Sequence, residues 1–440
     1  MSYERRVLIR HSLASIIALG LTGLSRFIYN IVIARKFGVE ELGRANSLIS
    51  QAFFIAIPLS FFAIALGKYS SEFLGRGDTD AIRSITLPSF LLPLAGFFLL
   101  PFNVYLGLIA VFRGIQLTLR SFLYGIHRGE HYAYLITVSF LFFLAGFATS
   151  NVFAPYLLFL GMISVFAFVY LGGMGLVGKP KSEHIRLLVS YSSFAFLGTL
   201  SGVFLIQGPY FLSEYLGSPE LAGSVAAILS TAFLLTYLPQ VLQSAIMPLF
   251  SYKHGKGEPE YVKSLAEKTT AFLILVTGVI VFAMMLVGRE LLSFLFKFEI
   301  GPAFYLALMA IEVYIVYNPS LVALNSTAYV KRGTLLSLTG AVVSGILWAL
   351  LIPSMGEMGV MLGLMAGYLV ILGGTAVSSS RLLGIRPRIY LPLFALLLLQ
   401  SFAFLSKYAL LAGLVIFLII EKETIKEGIN LLKSFRGRGS

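Results

Sequence analysis

The chain has 440 residues, 58% hydrophobic and 12% charged, and its 33 Lys and Arg against 20 Asp and Glu give a formal net charge of +13. That composition excludes a single water-soluble domain and a disordered chain, and the lack of any domain-sized hydrophilic stretch disfavours an ATP-driven pump. The chain contains no Cys, so disulfides, thiolate metal sites and cysteine nucleophiles are all excluded.

Uncharged runs long enough to cross a bilayer recur along the sequence. They predict an all-α integral membrane protein of about 14 transmembrane helices. The first seven lie near residues 11–34, 45–67, 85–100, 104–125, 133–150, 152–177 and 185–206. Seven more lie near 221–248, 270–287, 302–327, 335–352, 359–378, 390–405 and 408–420. Arg5, Arg6 and Arg10 precede the first run, which is too long and too poor in a small-residue cleavage site for a removable signal, so it reads as an anchor. With the N-terminus in the cytoplasm, 25 Lys and Arg fall on that side and six on the other, while Arg26 and Arg113 lie within spans. The positive-inside bias and an even span count place both termini in the cytoplasm. Topology therefore accounts for the basic excess, and no nucleic-acid partner is expected.

Residues 75–84 read GRGDTDAIRS and residues 255–264 read GKGEPEYVKS, with eight of ten positions identical or conservative at an offset of 180. Upstream, FGVEELG at 37–43 and LGSPELAG at 216–223 keep nearly the same offset. Six spans separate the copies, so the two halves have the same orientation and form parallel repeats. The expected organisation is an N-lobe at 1–183, a C-lobe at 184–384, and two further helices with a basic cytoplasmic tail at 385–440.

Several motifs have plain readings. Gly173, Gly175 and Gly178 match G-x-G-x-x-G, but they end a hydrophobic span and no strand precedes them. Asp78-Thr79-Asp80 is the D-x-D pattern of a metal-dependent sugar transferase, yet its repeat counterpart is Glu258-Pro259-Glu260, which points to a structural loop. Asn325-Ser326-Thr327 fits a glycosylation acceptor at a cytoplasm-facing span end, where the match is spurious. Gly359, Gly363 and Gly367 recur every four residues and predict a close helix contact. No metal site and no catalytic residue is expected.

Ionisable groups inside spans carry more weight, because a charge facing lipid is costly. Arg26 lies in the first span with Asn30 one turn on. Arg113 and Arg120 share a face of the fourth span, joined by Gln116 and Tyr124. Arg120 stands near the cytoplasmic end, where snorkelling to the headgroups competes with a cavity role. Gln207, Tyr210, Gln240 and Gln243 can line a polar wall or close interhelical hydrogen bonds. Glu312 is the mid-span carboxylate of the tenth span. Alone it is an ion-coupling candidate for H+ or Na+; beside an arginine it is a counter-ion.

The run RFIYNIVIARKFGVEELGRANSL from Arg26, with its degenerate copy LGSPELAGSVAAIL, resembles the opening of polysaccharide-export flippases of the Wzx type, in the multidrug/oligosaccharidyl-lipid/polysaccharide superfamily. The resemblance runs through the twelfth span. It implies two six-helix lobes in a V and alternating access in the cell membrane, without an enzymatic activity or a cofactor. The implied cargo is a polyprenyl-linked oligosaccharide carried from the cytoplasmic to the outer leaflet, with membrane lipids and glycan-assembly proteins as further partners. In-span Arg, with no mid-span Asp or Glu in the first six helices, favours an anionic lipid (pyro)phosphate over a cationic drug. A peptidoglycan lipid-precursor flippase and a multidrug or cation antiporter of the same superfamily are the alternatives. A membrane-embedded glycosyltransferase or polymerase is the alternative of another class, and it lacks an acidic or His cluster to supply its base.

Overall fold

The computed structural model describes residues 3–327, 329–422 and 426. The tail cations Lys433, Arg436 and Arg438 lie outside the described residues. In chain order the α-helices are α1 (Tyr3–Phe37), α2 (Val39–Leu59), α3 (Ala63–Gly75), α4 (Thr79–Leu91), α5 (Val104–Gly125), α6 (Gly129–Gly146), α7 (Ala154–Met174) and α8 (Ser182–Leu216). They continue with α9 (Pro219–Ala232), α10 (Tyr237–Gly255), α11 (Pro259–Phe296), α12 (Ala303–Asn325), α13 (Val330–Met355), α14 (Glu357–Leu383), α15 (Leu391–Gln400) and α16 (Lys407–Ile420). No strand occurs among the described residues, as expected where lipid offers the backbone no hydrogen bonds.

Every expected span coincides with a helical segment. By length and composition, however, 11 helices among the described residues are apolar enough to cross a membrane, or 12 if α2 and α3, bent by 45°, form one broken span. The expected 14 is thus not reached. The eighteen residues of α6 include Glu130 and His131, and α16 has only 14 residues, about 21 Å at 1.5 Å per residue.

Packing divides the chain into two compact units, residues 1–227 and 228–440. The repeat reading instead places the division after residue 183. In the first unit α2 packs against α5 and α8, and α6 packs against α7 and α1. In the second unit α12 packs against α11 and α14 and also touches α10, α13 and α15. Its side chains are buried almost throughout, as suits a helix that is apolar all round.

The repeated loops share a backbone geometry, each seen within its own unit. Helix α3 ends at Gly75 and α10 at Gly255; Gly77 and Gly257 both have φ 73°; and the amides of Asp78 and Glu258 return to the carbonyls of Phe73 and Lys253 at 2.9 and 3.0 Å. A φ of +73° is costly for any residue with a Cβ. The next helix then opens with an ion pair, Arg83 with Asp80 and Lys263 with Glu260, each at 3.1 Å. Asp78 caps α4 by accepting from Ala81 N at 2.9 Å. The D-x-D pattern is therefore occupied in helix capping and pairing, and no group of three metal-ligating side chains occurs among the described residues.

Within the first unit the upstream copies also meet. A Cβ on Gly43 would lie 1.8 Å from Pro219 O, and one on Gly223 would lie 2.0 Å from Val39 O. Positions 39 and 43 correspond to 219 and 223 at the repeat offset, so the crossing is reciprocal, as in a contact about a two-fold axis. In the second unit the stripe of Gly359, Gly363 and Gly367 lies against Leu351, Trp348 and Ser344 of α13. Trp348 Nε1 donates to Val360 O at 2.8 Å and Ser344 Oγ to Gly363 O at 2.9 Å, the close packing expected of such a stripe.

Candidate functional site

Helix α1 brings Arg26 to a surface shared with α2 and α8. Arg26 Nη1 donates to Gln207 Oε1 at 3.0 Å, Nη2 donates to Ser50 Oγ at 3.0 Å and to Asn46 Oδ1 at 3.4 Å, and the guanidinium lies 4.0 Å over the ring of Tyr210. Asn46 Nδ2 in turn donates to Asn30 Oδ1 at 2.9 Å, and Asn30 Nδ2 to Ala226 O at 3.1 Å. Arg26, Asn30 and Gln207, singled out from the sequence, are thus brought together. Asn46 and Ser50 join them unforeseen.

All the partners of Arg26 among the described residues are neutral, and its Nε–H is out of water with no acceptor. A guanidinium presents five N–H groups. Held by amides, a hydroxyl and an aromatic face, it is fixed in place while its positive charge stays uncompensated by any carboxylate. Fixed cationic donors of this kind suit a phosphate or carboxylate oxygen.

A second group lies on α5. Arg113 donates to Gln116 and stacks over Phe53 at 4.5 Å, Gln116 Nε2 donates to Tyr132 OH at 3.3 Å, and Tyr124 OH lies 2.9 Å from Ser15 Oγ. Tyr124 and Tyr132 meet edge to face at 6.1 Å. The predicted stripe of Arg113, Gln116 and Tyr124 is therefore turned towards α1, α2 and α6. Arg120 on the same helix is exposed. Aromatic rings run from the second group back to α1: Phe53 packs on Tyr156 at 5.9 Å, and Tyr156 packs on Tyr29 at 4.9 Å.

Gln240 belongs to the second unit, where its amide donates to Thr236 Oγ one turn back at 3.4 Å. Glu312 is fully buried on α12. Among the described residues no arginine pairs with it: Thr277 Oγ of α11 lies 3.2 Å from Oε1, and Gln400 Nε2 of α15 donates to Oε2 at 2.6 Å. Among the described residues both of its partners are neutral, which removes the counter-ion reading. Thr277 and Gln400 carry no pattern that sequence periodicity detects, although Gln400 stands out as an amide in the leucine-rich run LPLFALLLLQ.

The MatE family profile matches residues 208–353, a third of the chain. No curated protein sequence matches. Among solved structures, an inward-facing multidrug resistance MATE family transporter of the MOP superfamily superposes with a TM-score of 0.66 at 12% identity, covering 83% of this chain and 98% of that one. Lipid II flippase MurJ in an inward closed conformation gives 0.60 at 13% identity, covering 94% and 100%. The MATE multidrug transporter DinF-BH in complex with R6G gives 0.62 at 14% identity, covering 86% and 95%. At such identities the likeness shows the fold alone: the chain has the fold shared by MATE transporters and MurJ.

Proposed function

We propose that the chain is a flippase that moves a polyprenyl-(pyro)phosphate-linked oligosaccharide from the cytoplasmic to the outer leaflet of the cell membrane by alternating access. Arg26 carries this reading, because it is a cation of the membrane-spanning region that, among the described residues, is held by neutral groups and left with an N–H that no acceptor uses. A lipid (pyro)phosphate supplies the missing negative charge. Arg113 serves the same headgroup, Arg120 meets it nearer the cytoplasmic leaflet, and amide and tyrosine groups meet sugar hydroxyls. An ion gradient supplies the energy. Membrane lipids surround the carrier, and glycan-assembly proteins deliver its cargo.

The resemblance of the opening segment to Wzx-type sequences supports this reading, and so does a fold shared with a protein described as a lipid II flippase. A second reading, an exporter of cationic drugs, is favoured by the MatE profile and by the multidrug transporters of like fold. The charge of the first unit's interior opposes it. Equilibrium binding to the purified protein distinguishes the two: a lipid-linked oligosaccharide should bind and be displaced by its anionic headgroup, and a cationic dye should not compete. Tight dye binding with no response to the polyprenyl pyrophosphate would favour the exporter.

A further inference from the structure

The hydrogens around Glu312 do not balance if the side chain is ionised. Thr277 Oγ makes two contacts, to Leu273 O at 2.6 Å and to Glu312 Oε1 at 3.2 Å, and Gln400 Nε2 makes one, to Glu312 Oε2 at 2.6 Å. All three acceptors need a hydrogen. A threonine hydroxyl has one to give and the amide directs one, so two hydrogens serve three contacts. The shorter Thr277 contact, closed within its own helix, takes the hydroxyl hydrogen. The third must then come from Glu312 itself.

The other face of the cluster gives the same answer. Gln400 is fully buried, and its Oε1 has no hydrogen-bond partner. Turning the amide over would place Oε1 against Glu312 Oε2, where only a protonated carboxyl can donate. In the orientation described, a carboxyl hydrogen on Oε1 completes the set, whereas the turned amide would take that hydrogen on Oε2 and leave the Thr277 contact without one; no cationic side chain pairs with Glu312 among the described residues. One turn from Thr277 towards the start of α11, Leu273 lines a shallow crevice with Gln243, Thr269 and Asn318.

We propose that Glu312, Thr277 and Gln400 form a proton-binding site within the second unit, read out by α15, a helix outside the duplication. A hydronium ion that reaches the cluster leaves its proton on Glu312 Oε1 and departs as water; the loaded acid donates to Thr277 Oγ. Release reverses the step. The bare carboxylate then draws the Thr277 hydrogen away from Leu273 O and binds the Gln400 amide more tightly, so loaded and empty states differ in the bonding of α11 and α15. The site deepens the carrier reading by naming its ion, yet its test needs no cargo, so either can fail alone.

Infrared difference spectroscopy on the purified full-length protein, with no substrate present, decides it. At neutral pH the wild type should show a carboxylic-acid carbonyl band that shifts in D2O, vanishes on alkaline titration, and is lost in Glu312→Gln. Exchanging sodium for potassium should leave the band unchanged. Thr277→Val, nearly isosteric, should keep the band and move it, since the acid loses its acceptor; this assigns the band even if Glu312→Gln fails to fold. Absence of the band at neutral and mildly acidic pH would overturn the proposal. So would a band that survives alkali and D2O, which marks a sealed structural acid, or one lost as sodium is added, which marks a sodium site.

Discussion

Arg26 differs from Arg83 in the kind of partner it keeps. Arg83 is paired with Asp80 and exposed, and such surface pairs contribute little. Arg26 is half-buried among Gln207, Asn46, Ser50 and the Tyr210 ring. Charge-assisted hydrogen bonds are worth about 1.5–3 kcal/mol, so Arg26→Gln should weaken binding of a lipid-linked phosphate by about 10–100-fold with the thermal midpoint little changed. Arg26→Lys keeps the charge but not the fork, and should fall between the two. Isothermal titration with each variant checks the order. The sequence made Arg26 and Asn30 legible because charge and amide inside an apolar run are conspicuous one at a time. Asn46 and Ser50 were not, because small polar groups in membrane helices usually bond to their own backbone and nothing in their spacing points twenty residues back.

Among the elements, two contacts carry testable weight. The reciprocal crossing of α2 and α9 leaves no room at Gly43 or Gly223, where a Cβ would fall 1.8–2.0 Å from a carbonyl oxygen. A clash with backbone cannot be relieved by a rotamer, and overpacking costs about 1–3 kcal/mol or more. Gly43→Val and Gly223→Val should each lower the thermal midpoint or block folding, whereas Gly20→Val, with nothing within 4 Å, should not. The second contact ties the C-terminal helix pair to the second unit: Arg386 donates through its backbone N at 2.9 Å and its guanidinium at 2.6–3.1 Å to Glu267, and Ile385 is buried in a cluster with Phe250, Val262, Ala266, Val322 and Ala323. Hydrogen bonds to that carboxylate hold the Arg386 guanidinium still more firmly in its charged form. The Arg386 side chain is 71% exposed. Glu267→Ala should therefore cost about 1–2 kcal/mol rather than the about 3–5 of a fully buried pair, measurable by thermal unfolding in detergent. Neither contact follows from local pattern, since each joins residues more than a hundred positions apart. The glycine periodicity of α14 was legible because both its spacing and its partner helix are local.

At the scale of the whole molecule, every span that hydropathy predicted falls on a helical segment, because twenty apolar residues in a row have few other uses. The hydropathy count of about 14 exceeds the 11 or 12 helices that pass by length and composition, because a helix that starts with Glu130 and His131, or stops at 14 residues, reads much like its neighbours. The offset of 180 was legible as letters, and its meaning became physical in the paired loops with φ 73° at Gly77 and Gly257. The hydrogen count at Glu312 could not be read from sequence, since it depends on three helices arriving at one carboxyl. The central claim is that the in-span arginines recognise an anionic lipid headgroup during transport. The most direct test reconstitutes the wild type, Arg26→Gln and Arg113→Gln in vesicles loaded on one leaflet with a fluorescent polyprenyl-pyrophosphate oligosaccharide, and follows its arrival on the other leaflet. The wild type should transfer the lipid, each folded variant should do so at least about ten-fold more slowly, and cationic drugs should not inhibit transfer. Equal rates for all three proteins, or transfer that cationic drugs abolish, would contradict that claim.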